Sequence, residues 1–286
     1  MQPRIAPTGM AVASVIVRTK DEAAAVERTL SALRAQTVDV EIIVVDSGSR
    51  DGTPEIARRW CDQLVEIEPE RFSFGRALNI GAKAALAPIH FALSAHCVPT
   101  RDDWIERSCA YYADPAVAAT HGDRGLPDRS VLRRPLLVSR ATLEEWGLPR
   151  ANPMWGLSNH ACSWRASVWR ELPFNEELAA SEDKEWASRV LDAGYLIAVD
   201  PDLYVDMSHR WRAGPLAYYR RQKKEWAATA EIFDLDPYGA GSLLREWWTN
   251  IPPDRHSAFA HRFLNYLRCA ELLGKYRGLH RKGVPG

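Results

Sequence analysis

Four places in this chain set carboxylates or imidazoles at the edge of an apolar run, where a fold can gather them. Ile42 to Val45 is an unbroken β-branched run, and Asp46 follows it, then the turn formers Ser47, Gly48, Ser49, Asp51 and Gly52. Ile89 to Leu93 is followed by Ser94-Ala95-His96. Ser181-Glu182-Asp183 has the pattern of a helix start, and His209 closes the segment that begins at Tyr204. Carboxylates accept hydrogen bonds and protons, and imidazoles do both or bind metals. A buried strand that ends in a carboxylate at the mouth of a polar loop is where open α/β sheets bind ligands. Plainer readings stand beside these: an ordinary strand-to-helix turn at Asp46, hydrogen-bonded loop or packed histidines at 96 and 209, and helix-start electrostatics at Glu182 and Asp183.

The elements that must position these residues follow a regular pattern. Val12 to Val17 reads as a first buried strand, followed by Arg18-Thr19-Lys20-Asp21-Glu22 and a helix to Arg34 with Val26, Leu30 and Leu33 on one face. The Asp46 strand leads into a helix from Pro54 to about Cys61, with Pro54 suited to its first position. Leu64 to Ile67 is a short third strand, and an alanine-rich helix runs through Leu86 to a fourth strand at Ile89 to Leu93. Strands alternating with helices predict parallel βαβ units with right-handed crossovers. Residues 121–160 form a long middle region rich in arginine and proline, and Asn159 to Arg165 reads as a fifth strand returning to the sheet. Residues 215–232 and 258–278 read as helices, the second with Phe259, Phe263, Tyr266, Leu267, Ala270 and Leu273 on one face.

Bulk properties bound the function. The 286 residues are 46% hydrophobic and 26% charged, the balance of a globular protein. Net charge is zero but uneven: residues 1–209 carry 23 basic and 30 acidic groups, residues 210–286 carry 14 and 7. That asymmetry predicts a basic surface near the C-terminus; separately, no nucleic-acid partner is expected. The five scattered cysteines form no C-x-x-C pair, which argues against a disulfide framework or zinc finger and for reduced thiols in the cytoplasm. Neither a signal peptide nor an 18-residue apolar run is present.

The order of motifs resembles family 2 glycosyltransferases of the GT-A fold, above all bacterial rhamnosyltransferase-like members. The resemblance is carried by VIVRTKDE (15–22), EIIVVDSGSRDGT (41–53), GRALNIGA (75–82) and the long stretch 173–211, and covers roughly residues 12–225. It implies a Rossmann-like, mostly parallel central sheet flanked by helices over 12–210, with a C-terminal helical extension over 211–286. It also implies transfer of a sugar from a nucleotide diphosphate sugar, of UDP or dTDP type, to an acceptor hydroxyl with inversion.

Residue by residue, the resemblance makes Asp46 the carboxylate that reads the pyrimidine ring, with Thr19 and Glu22 lining the same pocket. Arg18 stands where the family more often has proline. Arg76 is a candidate donor contact through its planar fork, against a solvated ion pair, and Asn79 a helix tether. Asp183 takes the role of general base, because an acceptor hydroxyl needs a carboxylate opposite the leaving diphosphate. Glu182 orients the acceptor or the loop, and Trp155 and Trp186 are candidates to stack on a sugar, against a place in the core. The family's Asp-x-Asp is replaced by Ser94-Ala95-His96. Serine can still bond a ribose, and His96 with His209 can hold Mn2+ better than Mg2+, or the site has lost its metal.

The acceptor is then a carbohydrate or lipid-linked molecule, met in the cytoplasm or at the inner membrane face through the basic C-terminal helices. Two other classes remain open. One is a catalytically inactive nucleotide-sugar-binding protein of the same fold, suggested by the missing Asp-x-Asp. The other is a nicotinamide-dependent oxidoreductase, disfavoured because no G-x-G-x-x-G follows the first strand.

Overall fold

The computed structural model describes residues 11–122, 134–145, 157–206, 214–236, 239–249 and 266–280. They divide between two compact units, Met1–Leu178 with Glu182–Ser208, and Ala179–Ser181 with His209–Gly286. In the first, β1 (Ala13–Thr19), α1 (Val26–Arg34), β2 (Val40–Asp46), α2 (Thr53–Ala57), β3 (Gln63–Glu66), α3 (Phe74–Ala84) and β4 (Ile89–Ser94) follow in turn. Then come β5 (Val98–Pro99), α4 (Trp104–Ala110), β6 (Val117–Gly122), β7 (Leu136–Val138), α5 (Arg140–Glu145), β8 (Ala161–Arg165) and α6 (Ala166–Glu171). The unit closes with α7 (Glu182–Asp192), β9 (Leu196–Asp200) and β10 (Val205–Asp206).

Eight strands form one sheet in the order β3-β2-β1-β4-β8-β6-β9-β7. The β3-β2-β1-β4 half is parallel throughout, as the alternation of strands and helices predicts. Its apolar runs face helices on both sides. Val15, Val17, Val44 and Phe91 pack under Leu30 and Leu33 of α1 and Trp104 of α4. Ile16, Ile43, Val45 and Ala92 pack against Leu78 of α3, Val168 of α6 and Val190 of α7. Each such side chain, fully buried, stabilises the fold by about 1.5–3 kcal/mol.

The other half departs from the sequence reading. The structure places β6 just before the expected middle region, ending at its first residues, and β7 within it, and β8 enters antiparallel between β4 and β6. The alanines of Val117-Ala118-Ala119 have little strand propensity, so β6 is a strand because both its faces are buried. Trp186 is completely buried, 5.3 Å from Phe174 and 6.4 Å from Trp164 by ring centroids, with its indole N–H given to the carbonyl of Leu172. It is a core residue and not a sugar platform. In the described part of the segment expected to end in His209, Val205 and Asp206 pair antiparallel to β5. His209 itself, like Trp155, lies outside the described residues.

The second unit contains α8 (Gly214–Ile232), α9 (Ala240–Thr249) and α10 (Tyr266–Leu279). A Cβ at Gly274 would stand 2.7 Å from Gln222 Cβ, and one at Gly278 2.7 Å from the Lys223 carbonyl. These two glycines, one turn apart, let α10 lie against α8 almost backbone to backbone. Leu273, expected on the buried face, is half exposed, while Ala270, Leu272 and Leu279 are buried. Ser181 also belongs here: its φ of 63° is left-handed and its hydroxyl bonds Thr229 Oγ1 at 3.0 Å. That is not the extended backbone an N-cap adopts. Among the described residues no helix is long and apolar enough to cross a membrane.

Candidate active site

The carboxyl edge of the parallel strands carries the polar residues, and the β1 and β2 loops are laced together there. Asp46 is 1% exposed at the end of β2. Its Oδ1 accepts from the Thr19 hydroxyl at 2.7 Å and the Ser49 hydroxyl at 2.5 Å, and its Oδ2 from the Gly48 and Ser49 amides at 3.0 and 2.8 Å. A carboxylate offers about four lone-pair positions, so the loop occupies all of them. Gly48 takes φ 79° to present its amide. The expectation that Asp46 reads a base directly is therefore revised: its carboxylate builds the loop that frames this edge. Thr19 is likewise buried and spends its hydroxyl on Asp46. Asp51 continues the lacing by accepting from the Ala23 amide and from Thr53, which holds its carboxyl below the ordinary range.

A second cluster joins β1, the start of β8 and the start of α7. Glu182 and Asp183 are 4% and 8% exposed. Asn159 spans them: its backbone N–H donates to Asp183 Oδ2 and its side-chain amide to Glu182 Oε1, both at 3.1 Å. Its carbonyl oxygens are also used, Oδ1 by the Cys162 thiol at 3.3 Å and the backbone oxygen by Arg18 at 2.8 Å. Arg18 stands 3.7 Å from Glu182 and lies over the Phe74 ring. Asp183 Oδ1 accepts from the Lys184 amide at 2.9 Å, with the ammonium at 3.3 Å. Burial first, and the charge of Asp183 second, push the Glu182 carboxyl above its ordinary value, while Arg18 and Asn159 oppose the shift. Burial likewise raises the Cys162 thiol beside them. The arrangement is a shielded carboxylate pair with a cation on each side, suited to accepting a proton from a hydroxyl.

Between the two clusters lies the end of β4. Ser94 is half-buried and pairs with Arg18 across the strands. Ala95 has nothing to offer a donor: its side chain is in the core, its amide donates to Arg18 and its carbonyl accepts from Thr29. Glu22, expected in the base pocket, gives its carboxylate to His96 Nδ1 at 2.6 Å. Among the described residues no three His, Cys, Asp or Glu side chains gather into a metal cage. The Glu22–His96 pair is a different donor set, one ring oriented by a carboxylate. A carboxylate on Nδ1 fixes the ring and leaves Nε2 as the nitrogen that could bind an ion, and a single such ligand fits an ion whose other ligands come from a diphosphate.

Arg76 sits in the first turn of α3, its amide capped by Ser73 and its guanidinium 3.6 Å from Glu176. Asn79 is a tether, as expected: it bonds Trp169 Nε1, the Phe174 amide and carbonyl, and Glu176. The residue that sequence reasoning missed is Asn159. It precedes Glu182 by 23 residues and carries no motif, and only the antiparallel entry of β8 brings it to this edge.

An open sheet of this order, with carboxylates at the carboxyl edge of its parallel half, defines a GT-A glycosyltransferase fold. Residues 14–171 match the family model described as Glycosyl transferase family 2. The chain belongs to that family. It is 28% identical over 216 residues to the O-antigen chain rhamnosyltransferase RfbN of Salmonella typhimurium, covering 69% of this chain and 67% of the relative. The structure is similar to a mannosyltransferase from Pyrobaculum calidifontis in complex with GDP-Man and Mn2+, with a TM-score of 0.65, 20% identity, and 95% and 86% of the two chains covered. It is also similar to glucosyl-3-phosphoglycerate synthase from Mycobacterium tuberculosis in complex with Mn2+, UDP and glucosyl-3-phosphoglycerate, with a TM-score of 0.54, 18% identity, and 81% and 82% covered.

Proposed function

We propose that the chain is an inverting glycosyltransferase that moves a hexose from a UDP- or dTDP-type sugar to a hydroxyl of a carbohydrate or lipid-linked acceptor. Surface polysaccharide or glycolipid synthesis is the process this fits, given the similarity to an O-antigen rhamnosyltransferase. The observation that carries the reading is Asp183, buried at the carboxyl edge and held between the Asn159 amide and Lys184. Asp183 accepts the acceptor's proton as its oxygen attacks the anomeric carbon and the diphosphate leaves from the opposite face, which inverts that centre. Arg18, 3.7 Å from Glu182, offsets part of that neighbour's charge beside Asp183. The Asp46 loop frames the nucleotide, and Arg76 supplies a guanidinium near the donor side.

His96, oriented by Glu22, would hold a divalent ion together with the donor's diphosphate. When bound, such an ion neutralises charge developing on the leaving group. The catalytic domain of this reading is residues 12–210, with residues 211–286 as a helical extension whose excess of basic groups suits an anionic membrane surface at the cytoplasmic face. Incubation with UDP-, dTDP- and GDP-sugars, with and without Mn2+, tests the reading by release of nucleoside diphosphate and by the anomeric configuration of the product. The replacement of Asp-x-Asp favours one rival, a protein that binds nucleotide sugar without transfer. Donor binding with no turnover on any acceptor would decide for it.

A further inference from the structure

Two neighbouring carboxylates, both more than nine-tenths buried, do not settle into different environments unaided. Like charges in one pocket compete for the same proton and the same donors. Here the competition is resolved by a single residue. Asn159, 2% exposed, gives a different N–H to each carboxylate, its backbone amide to Asp183 and its side-chain amide to Glu182. The side chain is itself fixed, because Oδ1 takes the Cys162 thiol and the backbone carbonyl takes Arg18.

We infer that Asn159 is the positioning residue of the acid pair, a clamp that turns Glu182 toward Arg18 and leaves Asp183, held by backbone, as the member that accepts the proton. This rests on the assignment of Asp183 as base. The groups facing the pair are Arg18 from β1, Cys162 from β8 and Lys184 from α7. Cys162 is neutral, since burial raises its thiol far above the ordinary value. Arg18 and Lys184 are the only cations recorded against the pair among the described residues, one to each carboxylate. The amide of Asn159 is thus a neutral donor to Glu182 besides its own backbone N–H and its charge partner, and it resists the rise in proton affinity that burial imposes.

The test separates a clamp from a packing residue. Asn159→Asp is nearly isosteric but removes the donor and adds a third negative charge, which moves the pair whatever the role of the residue, so the alanine variant decides. Asn159→Ala loses the donor alone. The Glu182 carboxyl is followed by carbon-13 NMR titration in the full chain, and turnover is measured in parallel. The expected order of Glu182 midpoints is wild type lowest, Asn159→Ala higher and Asn159→Asp highest. The Ala step should be about one pH unit, the scale of a hydrogen bond to a charged group. In that order kcat should fall, by about tenfold for Ala, while the KM for donor stays within about twofold. An unmoved Glu182 midpoint in Asn159→Ala would overturn the clamp, as would variants that lower only the melting temperature. Should the midpoints move as expected while Asp183→Asn keeps full turnover, the clamp stands and the choice of base fails.

Discussion

Replacing Asp183 by Asn tests the chemistry with the least change of shape, and the structure sets what to expect. Asp183 accepts on both oxygens: Oδ2 from the Asn159 amide at 3.1 Å, Oδ1 from the Lys184 amide at 2.9 Å. An asparagine has one oxygen for these two donors, so its NH2 must face an N–H on one side. That mismatch costs about 1–3 kcal/mol. Removing the charge next to Glu182 works the other way, because Asp183 is the second cause of that carboxyl's raised proton affinity. The net loss of stability should therefore be small, and each kcal/mol lowers the melting temperature by only about 2–4 °C in a chain of this size. Turnover should fall far more. General-base catalysis contributes about 10²–10⁴-fold, equal to about 2.7–5.5 kcal/mol of barrier. The assay is nucleoside diphosphate release with acceptor present, beside calorimetry of donor binding, which should stay nearly unchanged. Turnover within about twofold of wild type, or a product with retained configuration, would refute the assignment.

Burial lowers the imidazole of His90 on β4 to about 4 from an ordinary 6.5, and Arg170 adds to the shift. A depressed pKa means its stability is present above 6.5 and lost as pH falls through about 4, a contribution on the order of 3 kcal/mol. His90→Leu should flatten the urea midpoint across that window, and an unchanged pH dependence would count against it. Glu182 has the opposite sign: its pKa is raised above 4.5, so its stabilising effect is complete below 4.5 and lost as pH rises through the folded value. Glu182→Gln should therefore make stability less sensitive to pH above 4.5, again read by denaturant midpoints. Gly278→Ala should destabilise the second unit by about 1–3 kcal/mol by forcing α10 off the Lys223 carbonyl, visible as a lower melting temperature. If His96 holds a divalent ion, Glu22→Gln should weaken Mn2+ binding in the presence of nucleoside diphosphate by about 10–100-fold, and His96→Ala by more, measured by calorimetry.

Much of this protein was readable before folding was considered. β1, β2 and β4 are short, largely apolar, β-branched runs bounded by turn residues and alternating with helical patterns, the combination expected of strands buried on both faces, so a parallel α/β sheet with polar loops at one edge follows from local pattern. The edge positions of Asp46 and Asp183 are legible because each closes or opens an element, where periodicity changes abruptly. Asn79 was correctly read as a tether from its place in α3.

What tertiary structure decided was the use of each polar atom. A carboxylate at a strand end signals an edge position, but only the Gly48, Ser49 and Thr19 donors around it make Asp46 a builder of its loop. Trp186, spaced like a platform beside the acids, became core because Phe174 and Trp164 close over it. Glu22 was assigned to a base and went to His96, 74 residues away. Asn159 had no signal at all, since its partners lie 23 and 24 residues ahead and no local period links them. Backbone periodicity is a property of neighbours in sequence. Hydrogen-bond allocation at a site depends on which loops the sheet order brings together, and in this chain that order is set by β8 crossing back between β4 and β6.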